Sequence, residues 1–327
     1  GSEMRGLTQL RDQNDAFPFV DGLIELASDT RSFLGANTQI TYAADWSEYF
    51  GYQPSDGSGD VYFNLDPLWA HEEIDAVGID NYMPLADWRD SLSAAREDGF
   101  VSGFDRSAMA SGIDGGEGFD WYYASSTDRR DRIRSAISSG DRGDAWLYCY
   151  KDIKGWWENL HYDRRGGIAV AEPTLWVPGA KPVWFTELGA PATDKAANQP
   201  NVFPDPKSSE NKTPHFSTGG RDDLAQRRFL EAHLHRWATD NQLNPVSTVY
   251  GAPMVNVDHI YCWSWDARPF PAFPVRTDIW NDGQNWQQGH WLTGRLGTAP
   301  ADALIAQFLS DCGLSQNDAN FADGICD

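Results

Sequence analysis

The run Lys181-Pro-Val-Trp-Phe-Thr-Glu-Leu-Gly-Ala-Pro191 constrains this chain more than any other stretch. Pro182 to Phe185 is apolar enough to read as a short buried strand. It ends in Thr186-Glu187 and opens at once into Leu188-Gly189 and a proline. A carboxylate where a buried strand meets a Gly/Pro loop is where a (β/α)₈ barrel keeps its chemistry, at the C-terminal rim. A lone Glu in such a place reads as readily as a loop cap or an ion-pair partner. Glu187 stands above that reading because the strand-then-polar pattern recurs along the chain.

Residues 39–44 read as a strand ending in Asp45-Trp46-Ser47-Glu48, and residues 76–80 as one ending in Asp80-Asn81-Tyr82. Residues 258–263 end in Trp263-Ser264-Trp265. Helical patterns lie between them. Residues 18–34 carry Val20, Leu23, Ile24, Ala27, Phe33 and Leu34 at helical spacing, closed by Gly35. Residues 66–73 suggest a short helix capped by Asp66 with Pro67 in its first turn. Residues 127–137 suggest a basic surface helix, and 221–238 the clearest one, with Leu224, Phe229, Leu230, Leu234 and Trp237 on one face. Residues 84–126 read as a long insertion, 301–310 as a last helix. Strands alternating with helices predict a parallel sheet with its site at the strand ends.

A closed barrel needs eight strands and four are legible. Gly1-Ser2-Glu3 has the look of a cloning scar, yet a helical pattern follows Glu3 almost immediately, as it would after a barrel strand. The expectation is an α/β (β/α)₈ barrel of which this chain carries strands four to eight over residues 1–297. Residues 298–327 would be a helical extension, and three strands would have been lost ahead of residue 1.

Composition limits the function. The 327 residues are 41% apolar and 13% aromatic, ample for a large core. A net charge of −22 argues against nucleic acid and anionic membranes as partners. No apolar run is long enough to span a bilayer. Fifteen Trp exceed what packing requires, and their faces suit sugar rings. Seven His and four Cys show no metal-ligand spacing, so no metal and no organic cofactor is expected. Cys312 and Cys326 flank a short loop and could pair; Cys149 and Cys262 read as buried thiols.

Several long motifs carry a family resemblance: GSEMRGLTQLR, ITYAADWSEYFGY, DVYFNLDPLWA, VGIDNYMPLADWRD, KGWWENLHYDR, KPVWFTELGAPATDKAANQPNVFPDPKSSE and WDARPFPAFP. Together they resemble the glycosidase-like TIM-barrel domain of the tail-tip protein of gene transfer agents, phage-like particles of alphaproteobacteria. The resemblance runs from residue 1 to about 297. It implies a two-carboxylate glycoside hydrolase of the retaining type, with the first barrel strands upstream in the parent polypeptide or in a separate fragment. Glu3, at the end of strand four, would be its acid/base and Glu187, at the end of strand seven, its nucleophile. Enzymes of that clan place Asn just before the acid/base to bond the sugar 2-OH; here Ser2 stands there, with a shorter reach.

The remaining candidates line the same rim. Tyr82 is placed to hydrogen-bond Glu187. Glu48 is the rival to Glu3, set three residues further from its strand. Asp45, Asp80 and Asn81 are candidates for sugar hydroxyls; Trp46, Trp156, Trp157, Trp263 and Trp265 for sugar rings; Glu158 for a subsite near His161. Three functions compete: hydrolysis of capsule or cell-wall glycan at the bacterial surface by a particle's tail tip, glycan binding without turnover, and a structural baseplate role. The implied partners are a polysaccharide and other tail or baseplate proteins.

Overall fold

The computed structural model describes residues 3–90, 98–137, 144–204, 211–263 and 275–278. In chain order these form α1 (Arg5–Thr8), α2 (Pro18–Leu34), β1 (Ala43–Asp45), α3 (Asp66–Trp69), β2 (Val77–Asn81), α4 (Arg106–Ser111), β3 (Trp121–Tyr122), α5 (Ser126–Asp131) and β4 (Ser135–Ala136). There follow α6 (Ile153–Glu158), β5 (Arg164–Arg165), β6 (Ile168–Ala169), β7 (Val183–Gly189), α7 (Asp223–Thr239) and β8 (Val255–Trp263). One compact unit holds the described residues of Gly1–Ala86, Ala110–Leu188 and Ala232–Trp263, and a second those of Asp87–Met109, Gly189–Glu231 and Ser264–Asp327. Among the described residues no helix is long and apolar enough to cross a membrane.

The sheet that organises the first unit has the order β1-β2-β7-β8. β1 runs parallel to β2, and β2 to β7. These are the four strands expected from the sequence, in chain order, while β3–β4 and β5–β6 form separate antiparallel ribbons. β2 is buried at every position, as a central parallel strand covered on both faces must be. Val77, Ile79, Val183 and Phe185 are fully inaccessible, and the Phe185 ring meets Trp237 of α7 edge-on at 5.5 Å.

β1 is shorter than the predicted 39–44. Its backbone ladder begins at Ala43, because the preceding residues are tied to β2's approach partly by side chains. The Ile40 amide donates to Asp75 Oδ2 at 2.7 Å and Thr41 Oγ1 to the Ala76 carbonyl at 2.8 Å. Arg31, near the end of α2, fixes the same segment through Glu73 and Asp75 at 2.7 Å each. Gly78 allows β1 and β2 to close: a Cβ there would lie 2.4 Å from the Tyr42 carbonyl oxygen.

Other expectations need correction. α2 spans 18–34 as predicted and Gly35 ends it with φ +85°, but Phe33 and Leu34 are exposed; Val20 and Ala27 carry the buried face. α3 stops at Trp69 rather than residue 73, and Asp66 does not cap it. The Asp66 carboxylate instead binds His161 Nδ1 at 2.9 Å and the Thr174 hydroxyl. The predicted helix over 127–137 ends at Asp131, where Arg132 turns left-handed at φ +57° and the chain enters β4. The insertion over 84–126 contains α4 and β3. α7 buries Ala225, Phe229, Ala232, His233 and Trp237 along one face at i, i+3/i+4 spacing, but Leu234 is exposed. Cys149 is a buried thiol, whereas Cys262 is exposed on β8. Cys312, Cys326 and the 301–310 helix lie outside the described residues.

Candidate functional site

The parallel register sets three carboxylates in one row. Asp45 of β1 pairs with Asp80 of β2, and Asp80 with Glu187 of β7. Residues in register on parallel strands project to the same side. The row exists because the ladder shifts by one residue at Ile79/Asp80, so that Thr186 is passed over and Glu187 stands opposite Asp80. Thr186 is put to use there: its hydroxyl donates to Asp80 Oδ1 at 2.7 Å.

Glu3 joins the row from beside β1. Its amide donates to the Ala43 carbonyl at 2.8 Å, and its φ of +50° is a left-handed conformation that non-glycine residues seldom adopt. Such conformations concentrate where surrounding contacts over-determine the backbone. Here the Met4 amide donates to the Tyr42 hydroxyl at 2.8 Å, and Arg5 donates to Ser47 Oγ at 2.7 Å. One oxygen from each of Glu3, Asp80 and Glu187 then lies within 4.8 Å of the other two. Tyr82, just beyond β2, donates its hydroxyl to Glu187 Oε2 at 2.5 Å, the bond expected from its position.

Burial shapes the electrostatics. Asp80 is 1% exposed, and its carboxyl is pushed up to about 7, first by desolvation and then by the charges of Glu187, Glu3 and Asp45, against the pull of the Thr186 hydroxyl. Burial also raises Tyr82 and Tyr42, which therefore remain phenols and donors across the physiological range. Glu187 and Glu3 are more accessible than Asp80.

Several sequence candidates have other tasks. Glu48, the rival to Glu3, is fully buried and raised by desolvation. It accepts from the Thr8 hydroxyl, from Tyr42 at 3.0 Å and from the Asp45 amide at 3.3 Å, which makes it the anchor of α1 and the loop after β1. Asp45 turns its Oδ1 to the amide of Ser47 at 2.8 Å, in addition to the Ser47 hydroxyl. Asn81 is 1% exposed and caps the next loop by accepting from the Met83 amide at 3.2 Å.

Trp156 and Trp157 are core residues. Trp156 packs on Trp176 at 4.7 Å and on His161 at 5.0 Å, while Trp157 Nε1 donates to the Lys181 carbonyl at 2.7 Å. Neither face is open to a sugar. Glu158 is exposed at the end of α6 and does not belong to the carboxylate cluster. Trp46 is half-buried against Tyr150 at 4.8 Å, and Trp263 is 46% exposed at the end of β8. Ser2 and Trp265 lie outside the described residues.

No metal site is expected from the sequence, because the His and Cys residues show no ligand spacing. The carboxylate cluster is assembled from three separate segments by register, which no local spacing reveals. Thr186, Tyr42 and Thr8, which hold the acidic groups in place, were missed for the same reason. A cavity of about 320 Å³ elsewhere in this unit, among Phe17, Val20, Phe63, Asn64 and Asp163, contains none of the candidates.

The family model for the GTA (gene transfer agent) TIM-barrel-like domain matches residues 1–274. The chain belongs to the GTA TIM-barrel-like domain family. No curated protein and no solved structure matches it in the corresponding comparisons. For a GTA TIM-barrel-like domain, the parallel sheet β1-β2-β7-β8 is the expected kind of scaffold, and Asp80 and Glu187 of the acidic cluster stand toward the C-terminal ends of β2 and β7.

Proposed function

We propose that this domain is a retaining glycoside hydrolase acting on cell-envelope glycan, with Glu3 as acid/base and Glu187 as nucleophile. The observation that carries the reading is the approach of the Glu3 and Glu187 carboxylate oxygens to within 4.8 Å at the strand ends. Retaining pairs stand about 5–5.5 Å apart, and inverting pairs about 6.5–9.5 Å, to admit a water. The accessible Glu3 would protonate the glycosidic oxygen while Glu187 attacks the anomeric carbon. Water would then release the sugar from Glu187, with Glu3 taking its proton. Tyr82 holds Glu187 in one rotamer, and Trp263 offers an exposed ring for a neighbouring sugar.

Family membership supports a place on a phage-like particle. The tail tip, facing the bacterial surface among baseplate proteins, is where such an activity would serve DNA delivery. The second reading is glycan binding without turnover. It is favoured by Asp80, a third carboxylate for which a two-carboxylate mechanism has no task. Incubation with host envelope polysaccharide separates the two. Hydrolysis predicts new reducing ends, abolished in Glu187→Gln with glycan binding retained. Binding with no reducing ends from the wild-type protein would favour the second reading, and neither binding nor cleavage would leave a structural role.

A further inference from the structure

The acidic cluster has a property that the hydrolase reading leaves unexplained. Asp80 is 1% exposed and Thr186 satisfies its Oδ1, yet among the described residues no hydrogen-bond donor reaches its Oδ2. A buried carboxylate oxygen without a donor forfeits its hydration without replacement. It does so beside two further carboxylates, with one oxygen from each of the three inside 4.8 Å. The arrangement is rigid on two sides, because Asp80 and Glu187 are in register on adjacent strands. On the third side Glu3 is exposed, which leaves the cluster open to solvent.

We infer that Glu3, Asp80 and Glu187 form a binding site for a hard divalent cation, Ca²⁺ in particular. Three oxygen donors and no sulfur or nitrogen select a hard ion. Ca²⁺ binds oxygen at about 2.3–2.6 Å, so two oxygens on one ion stand at most about 4.6–5.2 Å apart, and three oxygens within 4.8 Å of one another fall inside that limit. Mg²⁺ demands near-ideal octahedral geometry at about 2.0–2.1 Å and keeps several waters, which suits a cluster of three protein carboxylates less well. Asp80 Oδ2 supplies the dry, fixed ligand, Glu187 the second and Glu3 the exposed third, with water or glycan hydroxyls filling the open side. A consequence rests on the hydrolase reading: an ion held by Glu3 and Glu187 occupies both reacting groups, so Ca²⁺ suppresses cleavage and its removal restores it.

The test uses Tb³⁺ as a luminescent probe of the chelator-stripped protein, followed by displacement with Ca²⁺. Tyr82, bonded to Glu187, is placed to sensitise the emission. The expected result is one saturable site, displaced by Ca²⁺ and weakened at least about tenfold in Asp80→Asn and in Glu3→Gln. Glu25→Gln, an exposed acid on α2, should leave it unchanged and so separates this site from diffuse binding by an acidic surface. Glu3→Gln alters an exposed side chain, which keeps the test decisive even where Asp80→Asn does not fold. Absence of saturable emission, or equal affinity in Glu3→Gln and wild type, overturns the site. Hydrolysis measured separately in chelator keeps the two readings apart: cleavage without ion binding sinks only the ion site, and ion binding without cleavage sinks only the hydrolase.

Discussion

Tyr82 donates its hydroxyl to Glu187 Oε2 at 2.5 Å, joining the residue after β2 to the strand end of β7. The contact spans 105 positions in sequence and is made possible by the parallel pairing of the two strands. It fixes the orientation of the carboxylate on which the proposed chemistry depends. Tyr82→Phe should therefore lower kcat/KM by about 10–100-fold, the equivalent of one hydrogen bond to a charged group. The near-UV circular dichroism should stay unchanged. A variant with full activity would remove Tyr82 from the site.

Tyr42 connects both ends of the arrangement that holds Glu3. Its hydroxyl accepts from the Met4 amide at 2.8 Å and lies 3.0 Å from Glu48 Oε1. Tyr42→Phe should destabilise the fold by about 1–3 kcal/mol in urea titration, since it leaves a buried carboxylate short of a donor. It should also reduce turnover by releasing the left-handed backbone at Glu3. Unchanged stability and turnover together would show that α1 is held by other means.

Gly78 is required by a close approach rather than by its φ. An alanine Cβ would meet the Tyr42 carbonyl oxygen at 2.4 Å and the Thr41 hydroxyl at 2.9 Å. The first of these is backbone and cannot swing away. Gly78→Ala should cost about 3 kcal/mol or more, as overpacking a rigid core does. Equilibrium unfolding showing a loss below about 1 kcal/mol would mean that β1 and β2 can part freely.

Asp80 makes stability depend on pH. Its folded-state carboxyl sits at about 7, above the ordinary 3.8, so between these values the folded chain holds a proton that the unfolded chain has released. Stability from this group therefore falls as pH rises through that window and is level above it. In chelator, Asp80→Asn should gain on wild type between about pH 5 and pH 8, by on the order of 3 kcal/mol. A stability difference that does not change with pH would contradict this.

Much of the fold was legible because burial leaves a simple imprint. Apolar runs over 76–80 and 182–187 mark strands covered on both faces, and Pro18 with Gly35 bounds α2. Asp80, Glu187 and Tyr82 stand at or just beyond the ends of strands that were legible, whereas Glu3 lies beside β1 on no described strand. What escaped depends on tertiary contacts. Glu48 looks like a rim residue in DWSEYF, and only Thr8 and Tyr42, from distant segments, make it a buried anchor. Trp156 and Trp157 adjoin polar residues in sequence but point into the core, where Trp176 and His161 cover the first and the Lys181 carbonyl receives the second. The shift that skips Thr186 and aligns Glu187 with Asp80 has no sequence signature at all.

In the proposed chemistry Glu187 attacks the anomeric carbon while Glu3 protonates the departing oxygen. Time-resolved proton NMR of envelope polysaccharide during cleavage in chelator tests it most directly. The first hemiacetal formed should have the anomeric configuration of the bond that was cut, and Glu187→Gln should form none. A first product of inverted configuration, or equal product from Glu187→Gln, would contradict it.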